Sequence, residues 1–133
     1  MPETITVVVI EDEAHIRLAL DYNLRMDGFT VHLAKNGREG LELVRRIHPD
    51  LVVCDWMMPE MNGLEVVSHL KADPALRAIP VVVLTAKSMD GEREQVMAAG
   101  ADECITKPFD PIQLGRMLRE VRTWMAPPAV QPE

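Results

Sequence analysis

A chain of 133 residues is one domain by length, able to bury roughly two thirds of the surface its unfolded form exposes. It is 47% hydrophobic but only 4% aromatic, so its core must be aliphatic, and a net charge of −7 argues against a surface built for nucleic acid or anionic membrane. Apolar runs reach about five residues against the ~20 that cross a bilayer, and the first six residues lack the basic and apolar segments of a secretory signal, so a cytoplasmic protein is expected.

In chain order, Ile5 to Ile10 is a β-branched run and predicts a buried first strand, ending in Glu11, Asp12 and Glu13. Ile16, Leu20 and Leu24 follow at four-residue steps, the apolar stripe of a helix that Gly28 is placed to end. Phe29 to Ala34 alternates loosely as a second, less buried strand. Asn36 and Gly37 then turn the chain into a helix carrying Leu41, Val44 and Ile47, stopped by Pro49. Leu51 to Cys54 is a short unbroken apolar run, suited to a parallel strand covered on both faces, and it ends on Asp55. Pro59 and Gly63 break the chain soon after.

Leu64, Val67 and Leu70 predict a third helix closed by Asp73 and Pro74, and Ile79 to Leu84 a fourth strand that ends at Thr85 and Ala86. A helix over Glu92 to Ala99, ended by Gly100, leads to a short strand over Glu103 to Thr106 that delivers Lys107 and Pro108. Asp110 and Pro111 start the last helix as cap and first helical residue, with Leu114, Leu118 and Val121 inside. The domain is expected over residues 1–124, and residues 125–133 form a Pro-rich tail or the start of a linker.

Strands alternating with helices predict an α/β domain: a doubly wound, five-stranded parallel sheet with five helices. Right-handed crossovers leave few windings, and of these the flavodoxin-like order 2-1-3-4-5 is the one expected. That order makes strands one and three neighbours, and the crevice at their carboxyl ends is where such sheets hold ligands. Cys54 and Cys104 then lie two strand spacings apart, ~9.6 Å, beyond the ~7 Å reach of a disulfide, so both thiols are expected free. His15, His32, His48 and His69 have no zinc-ligand spacing and read as surface or half-buried residues.

The strand ends share a chemistry. Glu11 and Asp12 come from strand one, Asp55 from strand three, Thr85 from strand four and Lys107 from strand five. An Asp ending a strand ordinarily caps the next turn, but carboxylates crowded together repel unless a cation joins them. Oxygen-only ligands suit Mg²⁺. A metal beside Asp55, a hydroxyl and an ammonium describe a site for a tetrahedral dianion, with Asp55 as the group that takes up a phosphoryl.

Together the acidic pair Glu11-Asp12, the segment Asp55-Trp56-Met57-Met58-Pro59-Glu60-Met61-Asn62-Gly63, Leu84-Thr85-Ala86, Gly100-Ala101-Asp102 and Lys107-Pro108-Phe109 resemble the receiver domain of two-component response regulators, from about Ile5 to Trp124. The resemblance implies that Asp55 is the phosphoacceptor and that Asp12, Asp55 and the Met57 carbonyl hold Mg²⁺, with Glu11 acting through a metal-bound water. It implies that Thr85 and Lys107 contact the phosphoryl group, that small Ala86 leaves it accessible, and that the Lys107–Pro108 bond is cis. Three positions modulate or depart from the pattern. Cys104 stands where the family usually places an aromatic switch residue, and Met57 and Lys87 occupy the places that tune attack of water on the acyl phosphate.

The function implied is a phosphorylation-activated signalling switch fed by a sensor histidine kinase or a histidine phosphotransfer protein, and an enzyme only in catalysing its own phosphorylation and dephosphorylation. Two other classes compete. An Asp-nucleophile hydrolase usually carries a second Asp two residues on, where this chain has Met57, and it needs a cap segment. A nucleotide or flavin binder needs a Gly-rich phosphate loop, which follows no strand here. No output domain or partner is legible, nor any DNA-binding motif. A homodimer through the fourth and fifth helices is a further expectation, with Arg93, Asp102 and Arg119 offering charges there.

Overall fold

The computed structural model describes residues 4–86, 91–107 and 110–124, with the side chains of residues 86, 92, 107, 111, 112 and 122–124 outside that description. Its elements are β1 (Thr6–Ile10), α1 (Ala14–Met26), β2 (Thr30–Ala34), α2 (Gly37–Ile47), β3 (Leu51–Asp55), α3 (Gly63–Ala72), β4 (Val81–Ala86), α4 (Glu92–Ala99), β5 (Glu103–Lys107) and α5 (Pro111–Trp124). Among the described residues the strands form one parallel sheet in the expected order β2-β1-β3-β4-β5.

The two-residue period of the strands divides the core. Val8, Ile10, Val52, Cys54, Val81 and Val83 face one way, against Leu41 and Val44 of α2, Val66, Val67 and Leu70 of α3, and Val96 of α4. Val7, Val9, Leu51, Val53, Val82 and Leu84 face the other way, against Leu20 and Leu24 of α1 and Leu114, Leu118 and Val121 of α5. The three central strands are buried on both faces, which is why they read as unbroken β-branched runs.

Element ends follow local chemistry. Gly28, at φ 94°, closes α1, with Phe29 N–H donating to Leu24 O and Gly28 N–H to Arg25 O. The Asn36 side chain accepts from Glu39 N–H at 2.8 Å to open α2, while His48 at φ 53° ends it before Pro49. Two expectations shift. β4 begins at Val81 rather than Ile79, because Pro80 has no N–H for the ladder, and it runs on to Ala86. Gly63 does not break the chain: Asn62 and Glu65 form a capping box and Gly63 is the first residue of α3.

The charges expected to serve self-association are engaged within the chain. Asp102 accepts from Lys71 Nζ at 3.1 Å and from Val81 N–H at 2.8 Å. Arg93 donates to Cys104 O at 2.8 Å and lies 3.6 Å from Glu103, and Arg119 donates to Asp27 O and stacks on Phe29 at 4.6 Å.

Helix α2 sits unusually close to β1 at Gly40, where a Cβ would fall 2.3 Å from Ile10 Cδ1 in the buried core. Overpacking outweighs the gain in helix propensity, so Gly40→Ala should lose about 1–2 kcal/mol of stability, read as a lower urea midpoint at unchanged slope. An unchanged or raised midpoint would refute this packing account.

Candidate metal and phosphoryl site

Register brings the acidic groups together. Ile10 pairs with Cys54, so the residues that follow, Glu11 and Asp55, stand level at the carboxyl ends of β1 and β3. One carboxylate oxygen from each of Glu11, Asp12 and Asp55 lies within 4.8 Å of the others. Glu11 is 1% exposed, Asp55 5%, and Asp12 half-buried at the rim. An all-oxygen set of three clustered carboxylates, two of them buried, fits a hard divalent cation such as Mg²⁺.

The cluster is held from several sides. Glu11 N–H donates to Ala34 O at 3.0 Å, and its carboxylate accepts from Glu13 N–H at 3.1 Å. Arg17, on the first turn of α1, reaches back to the carbonyls of Glu11 at 2.8 Å and Asp12 at 3.3 Å. Its bonds fix the β1–α1 loop without neutralising the carboxylates directly. Sequence reading missed Arg17, since an Arg five residues beyond Asp12 looks like any solvated helix residue. Trp56 N–H donates to Leu84 O at 2.9 Å, continuing the β3–β4 ladder past Asp55.

Of the other residues singled out, Thr85 is 4% exposed at the end of β4, and its Oγ1 lies 3.6 Å from Cys104 Sγ, also buried. Ala86 pairs in register with Lys107, which places the Lys107 backbone beside the end of β4. The Lys107 and Ala86 side chains, Lys87 and the Lys107–Pro108 bond lie outside the described residues. Met57 is exposed in the loop after Asp55, whereas Trp56 and Met58 are buried in the α2–α4 face of the core. Both cysteines are free; Cys54 and Cys104 each pair with Val83 from opposite sides, two strands apart as expected. Burial, and then the negative charge of Asp55 and of Glu11, pushes the Cys54 thiol far above its ordinary range. Cys54 is therefore a protonated core residue.

One surface feature was not anticipated. Leu18, Tyr22 and Met26 recur every four residues on the outward face of α1 and are all exposed. Their period coincides with that of Ile16, Leu20 and Leu24, so in sequence the two stripes merge into one apolar helix.

Comparison with known proteins agrees with this geometry. The family model for the response regulator receiver domain matches residues 7–119. The phosphate regulon transcriptional regulatory protein PhoB of Escherichia coli (strain K12) is 36% identical over 125 residues, which cover 94% of this chain and 55% of that protein. The chain thus spans about half the length of the curated relatives it matches. Among solved structures, the signal receiver domain of a histidine kinase from Syntrophus aciditrophicus aligns with a TM-score of 0.86 at 28% identity, covering 98% of each chain. The chemotaxis response regulator CheY4 of Vibrio cholerae aligns at 0.83 and 28% identity, covering 90% of this chain and 99% of that one. A doubly wound sheet with an acidic cluster at its switch point, matched along nearly its whole length by one family, leads to a single conclusion: this chain belongs to the response regulator receiver domain family of two-component signal transduction.

Proposed function

We propose that the chain is a phosphorylation-activated switch in which Asp55 accepts a phosphoryl group from a sensor histidine kinase or a histidine phosphotransfer protein, in a Mg²⁺-dependent reaction in the cytoplasm. The observation that carries this is the cluster of Glu11, Asp12 and Asp55, two of them buried, with carboxylate oxygens within 4.8 Å of one another at the β1/β3 switch point. Asp12, Asp55 and the Met57 carbonyl would hold the metal, with Glu11 behind a water. A bound Mg²⁺ supplies charge neutralisation for the incoming phosphoryl oxygens. An Asp55 carboxylate oxygen attacks phosphorus, the bond to the donor's imidazole nitrogen breaks, and an acyl phosphate forms. Thr85 offers a hydroxyl, Lys107 an ammonium, and Ala86 leaves room. The switching unit is residues 1–124, with 125–133 as tail or linker.

Output leaves through the α4–β5–α5 side. Thr85 touches Cys104, and the Cys104 carbonyl is held by Arg93 of α4, so a shift of Thr85 toward a phosphoryl group pulls on a chain of contacts ending in that helix. A thiol lacks the bulk for a rotating aromatic switch, which leaves Thr85 and the loop after it to carry the signal. A homodimer across α4 and α5 would have to exchange the intrachain contacts of Arg93, Asp102 and Arg119 for intermolecular ones.

The test is intact-mass measurement after incubation with acetyl phosphate and Mg²⁺. The wild type should gain the mass of one phosphoryl group, mapped to Asp55, and Asp55→Asn should gain none. Phosphate mapped to any other wild-type residue would sink the assignment.

The exposed Leu18–Tyr22–Met26 stripe leads away from the acidic loop and offers an apolar face to the phosphodonor protein. Tyr22→Asp should slow transfer from that protein by about tenfold while uptake from acetyl phosphate stays at the wild-type rate. Equal slowing of both would place the defect in the site instead.

Lifetime follows from the positions flanking the path of attacking water. Met57 is exposed and its thioether is a poor hydrogen-bond partner, so it orients no water. Met57→Asn combined with Lys87→Glu should shorten the acyl-phosphate half-life by at least about tenfold. A half-life equal to or longer than wild type would remove these two positions from control of hydrolysis.

A further inference from the structure

For six of the seven glycines, the nearest atoms that a Cβ would meet belong to side chains, or nothing among the described residues lies close. Gly63 is different. A Cβ there would lie 2.8 Å from Asp55 O and 3.0 Å from Trp56 Cα, both main-chain atoms that cannot rotate aside. Its φ is not in the left-handed region, so backbone conformation does not require glycine at this position. Space does.

The surroundings determine what a side chain there would displace. Gly63 N–H donates to Trp56 O at 2.9 Å, closing the neck of the loop over residues 56–62. The Asn62–Glu65 capping box ties down the first turn of α3, and Val66, Val67 and Leu70 bury that helix against the sheet. The helix therefore cannot back away cheaply, because interiors are packed to crystal-like density. The segment left to yield is the end of β3, which is Asp55 and the start of its loop.

Resting on the receiver reading above, we infer that Gly63 is a positioning residue for the phosphoacceptor. Its missing Cβ lets the start of α3 sit directly on the Asp55 carbonyl, and this contact sets where the Asp55 carboxylate stands relative to Glu11 and Asp12. A side chain at position 63 twists the strand end and opens the loop neck, moving Asp55 and the Met57 main chain together. Sites of this kind tolerate about half an ångström of misplacement.

The test compares Gly63→Ala with Leu118→Ala, a core truncation in α5 that destabilises the domain on the opposite face of the sheet. Three quantities are read in each: thermal midpoint, Mg²⁺ affinity from Trp56 fluorescence, and the rate of Asp55 phosphorylation by acetyl phosphate. Gly63→Ala should bind Mg²⁺ about tenfold more weakly and react about tenfold or more slowly, while Leu118→Ala keeps wild-type affinity at an equal or lower midpoint. A folded Gly63→Ala with unchanged affinity and rate overturns the inference, as does an equal loss in Leu118→Ala. Should Gly63→Ala unfold in plain buffer, the comparison is made in trimethylamine N-oxide, which strengthens burial. Amide resonances of Asp55, Trp56 and Met57 in the metal-free proteins separate this inference from the one beneath it. A wild type that takes neither Mg²⁺ nor phosphoryl sinks the receiver chemistry, and the Gly63 contact is then judged by those resonances alone: displaced, it stands; unmoved, it falls.

Discussion

In Asp12→Ala, titration with Mg²⁺ over the range that saturates the wild type should leave Trp56 fluorescence unchanged. Asp12 supplies one of three carboxylates that lie within 4.8 Å of one another, and it is the half-buried member, at the rim of the cluster. On the proposed function, removing it takes away a charge and a metal ligand together. Loss of outer partners alone costs roughly 10–100-fold in metal affinity, so loss of a direct ligand should cost about 100-fold or more. The reporter is well placed, because Trp56 follows Asp55 directly and is buried in the core beside it. The chain has two tryptophans, and Trp124→Phe removes the other as a source of signal. Phosphorylation by acetyl phosphate should fall with the affinity. A wild-type titration curve in Asp12→Ala would take Asp12 out of the metal site.

Lys107→Ala should slow phosphorylation by about 100-fold, the scale set by removing one charged or hydrogen-bonding group from a preorganised anion site. Lys107 ends β5, in register with Ala86 and therefore beside the strand that carries Thr85. A phosphoryl group on Asp55 brings two negative charges to a place that already holds three carboxylates. On the proposed function, the Lys107 ammonium would offset part of that repulsion. Because the carboxylates proposed to hold the metal are untouched, Mg²⁺ affinity should not fall in Lys107→Ala, and removal of a positive charge favours a modest rise. This split between affinity and rate separates Lys107 from Asp12. A fall in Mg²⁺ affinity matching the fall in rate would mean that Lys107 supports the metal site rather than the phosphoryl group.

Other features mark the same site as one where local preference yields to geometry. Glu60, in the loop after Asp55, sits at φ 70°, a conformation that costs a non-glycine residue of order 1–3 kcal/mol. The Gly63–Trp56 hydrogen bond closes that loop and sustains it. Loop and strand end therefore form one braced unit whose shape is set by contacts with α3 and β4.

Sequence alone determined the architecture and the chemical inventory. The Val-rich runs at residues 7–10, 51–54 and 81–84 are buried on both faces, and that demand writes itself into consecutive residues. Helix stripes such as Leu114, Leu118 and Val121 are likewise local, and Glu11, Asp12, Asp55, Thr85 and Lys107 could be named because each stands at a strand end that is legible, whereas Met57, Lys87 and Cys104 were named only through the family resemblance. Tertiary structure decided what no single element encodes. Strand register set Glu11 level with Asp55. Arg17 turned back onto two carbonyls, Leu18, Tyr22 and Met26 faced outward while Leu20 and Leu24 faced in, and Gly63 was needed for a carbonyl eight residues earlier in the chain. Periodicity reports which side of an element is buried, whereas these features depend on distances between elements, which are fixed only when the crossovers close and the two faces of the sheet pack.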